Sequence, residues 1–489
     1  SSAVGESARQ AGGADIRLEQ APLKYPGLDP WEIWVSESQE RMVVAVRPED
    51  EAALQNLARK HEVEAAVIGQ YTDTGALHLS HQGRTCAYID VSFLEEDFPA
   101  WEFEAEWLPP ERRLSEPVLG DPEDHGAVLR AMLDRPQICS REWIPRQYDH
   151  EVQGTSVLKP LAGRGLFVPG DAAVVRPRLD SHRGLGLSLA LNPAYSLIDA
   201  YHMVAVTMDE AVRRLLAVGG TLDHMGGMDN FCWPSVEYHP EKNPDGKYKA
   251  AQLARACWAL RHMCLAYDIP LLSGKDSMYM DGLLPGAFGE VHRVSALPTL
   301  IFTAVSVIAD LRRVLTLDWK APGDLIYLVG ETLAELGGSE FYEMLGYVGL
   351  SVPVARPPDF LPYYRALEQV VQEEALASAH GLYRGGLGVH LALCSLAGGL
   401  GVEVDLGQVA PGSPAYAALY SESAGRFLVS IAPQHRSRLE DLLRGQPLYF
   451  LGQVRPDGVF KVSRSGKILI NESLSELQAA WQRRLGGLI

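Results

Sequence analysis

The segment Ser273-Gly274-Lys275-Asp276-Ser277-Met278 directly follows the apolar run Ile269–Leu272. A strand leading into a small-residue turn lets backbone N–H groups come close to phosphate oxygens. Lys275 and Asp276 then set a phosphate-binding cation beside a carboxylate able to hold a metal. The upstream glycine of a Walker A loop is missing and Asp follows Gly274-Lys275, so that motif is excluded. The competing reading is a polar turn with a solvated lysine. A second segment, Met225-Gly226-Gly227-Met228-Asp229-Asn230-Phe231, sets a Gly-Gly pair ahead of Asp229 at what reads as a strand end. It suits a nucleotide contact by Asp229, against an Asx turn closing the strand. A third, Glu37-Ser38-Gln39, offers a charged acceptor, a hydroxyl and an amide just before the apolar run Arg41–Val46. That set suits a polyol or amide substrate, against a solvated turn. Asp171 precedes the run Ala172–Arg176, and Glu210 falls in a helical stretch. Carboxylates at strand and helix ends can share Mg²⁺ with polyphosphate. Glu210 has a competing use, closing a capping box with Thr207.

Other chemistries are poorly served. No Gly-x-Cys-x-Gly or Gly-x-Ser-x-Gly elbow is present, no Gly-x-Gly-x-x-Gly opens a helix, and no histidines have HExxH spacing. His202 and His224 lie near the candidate segments and read as ordinary packed or surface histidines. The cysteines are scattered without a CxxC pair, so neither a zinc site nor a disulfide framework is indicated, and a reducing, cytoplasmic setting is expected. A net charge of −18 argues against nucleic acid or an anionic membrane as the main partner. No apolar run approaches the ~20 residues of a membrane span.

These segments need elements to position them, and the periodicity supplies an α/β pattern. Residues 1–105 read as part of one α/β domain: a helix at Ala3–Ala11, strands at Arg41–Val46, Ala65–Gly69, Leu77–Leu79 and Thr85–Ile89, and a helix over Pro48–His61. Residues 106–150 read as a linker with one helix near His125–Leu133, running along a domain surface. Residues 151–315 form a second unit. It has strands at Ala172–Arg176, Leu185–Leu191, Ile269–Leu272 and Leu300–Val307, and a helix at Met208–Val218 with Thr207 as N-cap. A second helix, Ala250–Tyr267, turns Leu253, Cys257, Leu260 and Cys264 to one face. Residues 316–475 hold a strand at Leu325–Val329 and helices at Phe360–His380 and Leu387–Leu396. Residues 476–489 are a charged helical tail ending in Gly486-Gly487.

The chain repeats itself. Val35–Val46 (V-S-E-S-Q-E-R-M-V-V-A-V) matches Tyr420–Ile431 (Y-S-E-S-A-G-R-F-L-V-S-I), Ala3–Gly13 echoes Val389–Gly399, and Ile68-Gly69-Gln70 echoes Leu451-Gly452-Gln453. The offset stays between 383 and 386. The second copy has strand and helix material before its first block. The first has none, and the chain opens on Ser1. The expectation is a piece of a longer protein, cut inside a domain.

Taken together, these residues resemble phosphoribosylformylglycinamidine synthase, the ATP-dependent amide-to-amidine enzyme of purine biosynthesis. The resemblance rests on S-E-S-Q-E-R-M at 36–42, Leu191–Tyr195, Asp209-Glu210-Ala211 with Ala217-Val218-Gly219, Met228–Phe231, Ser273–Met278, Gly385-Gly386-Leu387 and S-E-S-x-x-R-F at 421–427. It covers nearly the whole chain. It implies an α/β (α+β) fold of tandem AIR-synthetase-like N and C domains, duplicated about a pseudo-twofold axis, with the first copy truncated. It implies a reaction of ATP, formylglycinamide ribonucleotide and ammonia from glutamine, through an iminophosphate, with ATP or ADP and Mg²⁺ as cofactors. By position, Glu37, Ser38, Gln39 and Ser277 would contact substrate. Asp229, Gly274 and Lys275 would contact the nucleotide, and Asp171, Glu210 and Asp276 would hold metal, the first two at an auxiliary nucleotide site.

The chain departs from the family in several places. Lys275 stands where some members have a metal-holding Asn, and Arg214 where large forms have Asn. Tyr383-Arg384 replaces Ser-Asp ahead of Gly385-Gly386, so Arg384 or Arg214 is expected to stand in for a cation. The catalytic histidine belongs to a first N domain absent from this chain, so none is assigned, and the chain alone is expected to be catalytically silent. The implied partners are the missing N-terminal half and a glutaminase subunit or domain. Two other readings stay open: a non-catalytic structural or nucleotide-sensing half, and another enzyme of the fold, such as aminoimidazole ribonucleotide synthetase or selenophosphate synthetase. The last are single N/C pairs, so the duplication counts against them.

Overall fold

A computed structural model describes residues 2–94 and 100–485 and divides into two units, Ser1–Glu102 and Phe103–Ile489. In the first unit α1 (Ser2–Ala11) leads into β1 (Ala14–Arg17). Then come α2 (Pro30–Val35), α3 (Glu51–Lys60), β2 (Gly69–Tyr71), β3 (Ala76–His81) and β4 (Arg84–Asp90). The sheet order is β2-β1-β3-β4. Val4, Ala8, Ala14, Ile16, Leu18, Ile33, Leu77 and Leu79 make its core.

The segment expected as the strand Arg41–Val46 has no strand partner, and Met42, Val43, Val44 and Val46 are exposed. Its repeat mate shows why this matters: a strand needs a neighbour to satisfy its N–H and C=O groups. Residues 64–68 are also outside the ladder, and β2 begins only at Gly69.

In the second unit residues 103–124 lie along the surface as irregular chain. Arg113 donates to the carbonyls of Leu197 and Ile198, and Trp107 stacks on Tyr248. Glu116 accepts from the backbone N–H groups of Leu350 and Ser351. The linker thus ties down both halves of the unit. Asp124 caps α4 (His125–Leu133), accepting from Ala127 N at 2.9 Å, and α5 (Trp143–Arg146) follows.

The first half of this unit contains β5 (Ser156–Leu158), β6 (Leu161–Ala162), β7 (Val168–Pro169), β8 (Ala173–Val175), β9 (Gly184–Leu191), α6 (Ala200–Ala217), β10 (Met225–Cys232), α7 (Gly246–Tyr267), β11 (Leu271–Ser277), β12 (Asp281–Pro285), β13 (Val291–Ser295) and β14 (Thr299–Ile308). The main sheet runs β11-β10-β14-β9-β8-β5. Alternation in β14 buries Leu300, Phe302, Ala304, Ser306 and Ile308. The helix-distant face of β9 leaves Leu187, Leu189 and Leu191 exposed.

Helix α6 starts eight residues before its expected start. Its cap is Asp199, which accepts from Tyr201 N, and Thr207 is a fully buried mid-helix residue. A helix buried nearly all round shows no stripe by which to place its start. In α7 the buried side carries Ala256, Ala259, Leu260, Met263 and Tyr267, so Cys257 is exposed rather than packed. The expected turn at Ser273–Ser277 is instead the body of β11, an edge strand parallel to β10.

The second half continues with β15 (Leu325–Val329), α8 (Glu340–Met344), α9 (Pro357–Gln372), β16 (Ser378–Gly381), α10 (Gly386–Gly398), β17 (Gly401–Asp405), α11 (Ala415–Tyr420), β18 (Phe427–Ile431), α12 (Arg436–Leu442), β19 (Leu448–Arg455), β20 (Val459–Arg464), β21 (Lys467–Ser473) and α13 (Leu474–Gln482). The helix expected over Phe360–His380 ends at Gln372, and its last residues become β16, which pairs with β18. Of the expected tail, α13 buries Leu477 and Trp481, and residues 486–489 lie outside the described residues. The two halves share one core, to which Ala211 and Leu215 of α6 belong together with Tyr327, Tyr364 and Phe427.

The repeat is structural. Both copies order their elements as helix, strand, helix, helix and three strands, except that the second inserts β18 between its second and third helices. β1 pairs antiparallel with β2 and parallel with β3, as β17 does with β19 and β20. In the second copy β18, the mate of residues 41–46, lies between β16 and β15. The repeated glycines have a steric cause: a Cβ on Gly69 would run into the carbonyl oxygen of Asp15, and one on Gly452 into that of Glu403. Gly452→Ala is therefore expected to cost about 1–3 kcal/mol, because the clash is with backbone that cannot rotate away. A urea titration of the variant against the parent chain checks it, and an unchanged midpoint would rule out the steric account.

Candidate functional site

The parallel register sets Asp229 beside Gly274, Asn230 beside Lys275, Phe231 beside Asp276 and Cys232 beside Ser277. Asp229 shares its face with buried Phe231, so its carboxylate looks toward the helix layer. It leans over Gly274: a Cβ there would stand 2.9 Å from Asp229 Oδ1 and 3.2 Å from Oδ2. Burial, and then the like charge of Asp276, raise the Asp229 carboxyl above its ordinary range. Gly274, Lys275 and Asp276 are exposed at the sheet edge, and Lys275 Nζ contacts Ser277 Oγ. Asn230 Oδ1 is buried without a hydrogen-bond partner among the described residues, an arrangement that leaves an acceptor open to a donor. On the Asp229 face the strand edge therefore offers a residue without a Cβ and two carboxylates, and on the opposite face the Lys275 cation, Ser277 and the orphaned acceptor of Asn230. No cluster of three or more metal-binding side chains occurs among the described residues. Two carboxylates still match the usual holding of Mg²⁺ by one or two carboxylates plus phosphate oxygens.

Asp171 and Glu210 lie elsewhere, at the joint between the two halves of the second unit. Asp171 accepts from His380 Nδ1 at 2.8 Å, Tyr383 OH at 2.6 Å and Gly381 N at 3.1 Å. Burial works against its charge, but His380, Tyr383 and Arg214 prevail and hold its pKa below the ordinary value. Glu210 is bound by Arg214 at 2.8 and 2.9 Å and by Asn192 at 3.0 Å, and the Arg214 guanidinium lies 4.0 Å over the Tyr383 ring. Both carboxylates have their partners, and a fixed cation stands between them. These residues do not fit a metal ion. Arg384 instead reaches Glu422 at 3.2 Å and Gly338 O at 2.7 Å, and pairs with Glu340.

A histidine chain completes the joint. The Tyr383 N–H donates to His390 Nε2 at 2.9 Å, which fixes that nitrogen as an acceptor. The His390 Nδ1 proton then points at His380 Nε2, 2.8 Å away, and the His380 Nδ1 proton at Asp171. Burial first, then His380 and Arg214, push the His390 imidazole well below 6.5. As pH falls under about 6.5 the unfolded chain takes up a proton that the folded chain refuses, so stability present above that pH is lost below it. The urea midpoint is expected to fall between about pH 7 and about pH 5, and to fall less in His390→Gln. Equal slopes would remove His390 as the cause.

The Glu37–Gln39 segment belongs to the first unit. Glu37, Ser38 and Gln39 are exposed on the loop after α2, and the Glu37 carboxylate has no hydrogen-bond partner among the described residues. Its mate in the repeat, Glu422, is buried and accepts from Gly385 N at 2.7 Å, Glu340 N at 2.9 Å and Tyr195 OH at 2.6 Å. His224 is exposed on the turn into β10. His202 lines a cavity of about 290 Å³ with Trp107, Asp199 and Arg255, and burial lowers its pKa. The sequence reading missed Tyr195, Asn230, His380 and His390. Tyr195 and Asn230 sat in segments already singled out, and the two histidines did not.

Residues 1–82 and 321–464 match the domain family described as AIR synthase related protein, C-terminal domain. The phosphoribosylformylglycinamidine synthase subunit PurL of Moorella thermoacetica is 32% identical over 99% of this chain and 63% of its own length. That of Thermoplasma acidophilum is 29% identical over 97% of this chain and 59% of its own. The chain thus spans about three-fifths of the length of these relatives. The matches run along nearly the whole chain, and they give no support of their own to the expectation of an absent N-terminal half. Among solved structures, Thermotoga maritima PurL complexed with ADP superposes with a TM-score of 0.57 at 20% identity, covering 93% of this chain and 62% of that one. That likeness establishes the α/β fold of AIR-synthase-related domains.

Proposed function

We propose that this chain, which is similar to the phosphoribosylformylglycinamidine synthase subunit PurL along nearly its whole length, forms part of a cytoplasmic, ATP-dependent C–N ligase. Its reaction would convert formylglycinamide ribonucleotide to formylglycinamidine ribonucleotide with ammonia delivered by a glutaminase partner. The observation that carries this reading is the Asp229–Gly274 pair: a carboxylate lying over a residue with no Cβ, at an open sheet edge. Support comes from the Thermotoga relative, solved with ADP, with ATP, with FGAR and within PurLQS.

In this reading Gly274 lets the nucleotide approach β11 and Asp229 faces it. The Lys275 ammonium neutralises phosphate charge, which it does as a cation and not as a metal ligand. Asp276 with Asp229 would hold Mg²⁺, whose chemistry is to offset charge on the transferring phosphoryl group. Ser277 is a candidate substrate contact of the second unit, and the Glu37–Gln39 segment is by itself a candidate substrate contact of the first. Asp171 and Glu210 are left out, since their carboxylates are already paired. Titration of the chain with FGAR by calorimetry tests the substrate half: saturable binding is expected, and no heat at millimolar FGAR would refute it.

A second reading has its own observation. The joint filled by Arg214, Tyr383 and His380 has the character of a structural clamp, which favours a scaffold role for the second pair at that place.

A further inference from the structure

The motif Ser-Glu-Ser-x-x-Arg forms the same ring twice, in opposite surroundings. In the second unit the Arg426 Nη2 donates to Ser421 O at 2.6 Å and its Nε to Ser423 O at 2.9 Å. In the first unit the Arg41 Nη2 donates to Ser36 O at 2.7 Å and its Nε to Ser38 O at 3.3 Å. The two serine hydroxyls of each motif meet, at 3.1 Å for Ser421 and Ser423 and at 2.9 Å for Ser36 and Ser38. The residue before each arginine is left-handed, Gly425 at φ +75° and Glu40 at φ +60°. In the first unit that conformation is held by a residue with a Cβ, which strains it.

The Ser421–Arg426 ring is buried, so its surroundings alone could impose its shape. The Ser36–Arg41 ring is exposed, with no layer of the first unit over it. A shape common to both must come from the motif itself, and the arginine is the group that closes it. The buried copy shows what the closed ring presents. The Glu422 carboxylate is turned outward from it, to take two backbone N–H groups and a phenol hydroxyl.

We propose that Arg41 is a positioning residue: it locks the Ser36–Gln39 loop so that the Glu37 carboxylate stands ready for a ligand group bearing N–H or O–H donors, such as an amide or ribose hydroxyls. This rests on the substrate reading above, and it adds the group that prepares the loop before ligand arrives. Preorganisation of this kind raises affinity by removing the ordering cost of binding.

The test uses the whole chain with Arg41→Met and Arg41→Lys. Arg41 is exposed and outside the core, and amide exchange over β1 and β3 serves as the check on the fold of the first unit. In Arg41→Met, amide exchange over residues 36–41 should speed up roughly tenfold and FGAR affinity should fall roughly tenfold. Arg41→Lys, able to reach one carbonyl, should recover part of both. Unchanged exchange in Arg41→Met would overturn the lock. Faster exchange with undiminished FGAR affinity would overturn the positioning role. Absence of FGAR binding in the parent chain would instead refute the substrate reading, with the exchange data still deciding for or against the lock.

Discussion

Asp229→Asn is expected to weaken Mg-ATP binding about 100-fold, or ~2.7 kcal/mol, with little change in fold. The substitution keeps the shape of the side chain over Gly274 and removes only its charge. Two further results are tied to the same carboxyl. Its pKa is raised by burial and by Asp276, so the charged form needed for cation-assisted binding appears only as pH rises through that higher value. Mg-ATP affinity should therefore climb as pH rises through that raised value in the parent chain and stay flat in Asp229→Asn. A raised carboxyl pKa also means that the unfolded chain gives up this proton more readily, so ionisation costs stability as pH rises above the unfolded value. Asp229→Asn should thus be the more stable protein at neutral pH. Loss of binding together with a gain in stability marks a residue kept for a ligand. Unchanged affinity would remove Asp229 from the nucleotide site. Gly274→Ala gives the steric counterpart, since its Cβ would force the Asp229 carboxylate aside.

The largest stability effect is expected at Asp209. Its carboxylate is fully buried and takes Arg213 Nε at 2.7 Å, Tyr267 OH at 2.7 Å, Tyr364 OH at 2.6 Å and Gly425 N at 3.2 Å. Arg213 is also buried, and donates onward to the carbonyls of Leu382 and Arg426. These bonds join α6 to α9 and to the loop before β18, across the shared core. Asp209→Asn would leave the Arg213 cation enclosed without an opposite charge, at a cost of about 3–5 kcal/mol. Asp209→Leu with Arg213→Met should recover part of that loss, because no buried charge remains. It should not recover all, because two tyrosine hydroxyls and the Gly425 N–H lose their acceptor. Urea denaturation of the single and double variants measures both. A single variant within about 1 kcal/mol of the parent would show that water reaches Arg213.

Much of this architecture was legible in the sequence, for specific reasons. The repeat was legible because its blocks carry backbone requirements: the close approach at Gly69 and Gly452, and the ring closed by Arg41 and Arg426. Those requirements tie residue type to geometry, so the two copies kept recognisable spelling where their packing allows little else. The strand at 41–46 was misread because composition registers a buried strand without knowing whether neighbours are present. The start of α6 was misread because Met203–Val206 is buried at every position and shows no stripe. Ser273–Ser277 looked like a turn because glycine and charge together suggest one. In the fold, Gly274 serves a strand, yielding space to a carboxylate on the next strand. The joint around Asp171 was half legible. Arg214 and Tyr383-Arg384 marked a change of chemistry, but His380 and His390 lie some two hundred residues from Asp171 in the chain, and no local spacing links them.

The central claim is that nucleotide binds at the β10–β11 edge and not at the arginine-filled joint. Hydrogen–deuterium exchange of the chain with and without Mg-ATP addresses it directly. The account predicts new protection over residues 225–232 and 271–277, with residues 168–176 and 378–390 unchanged. Protection confined to the second pair of segments, or to neither pair, would contradict it.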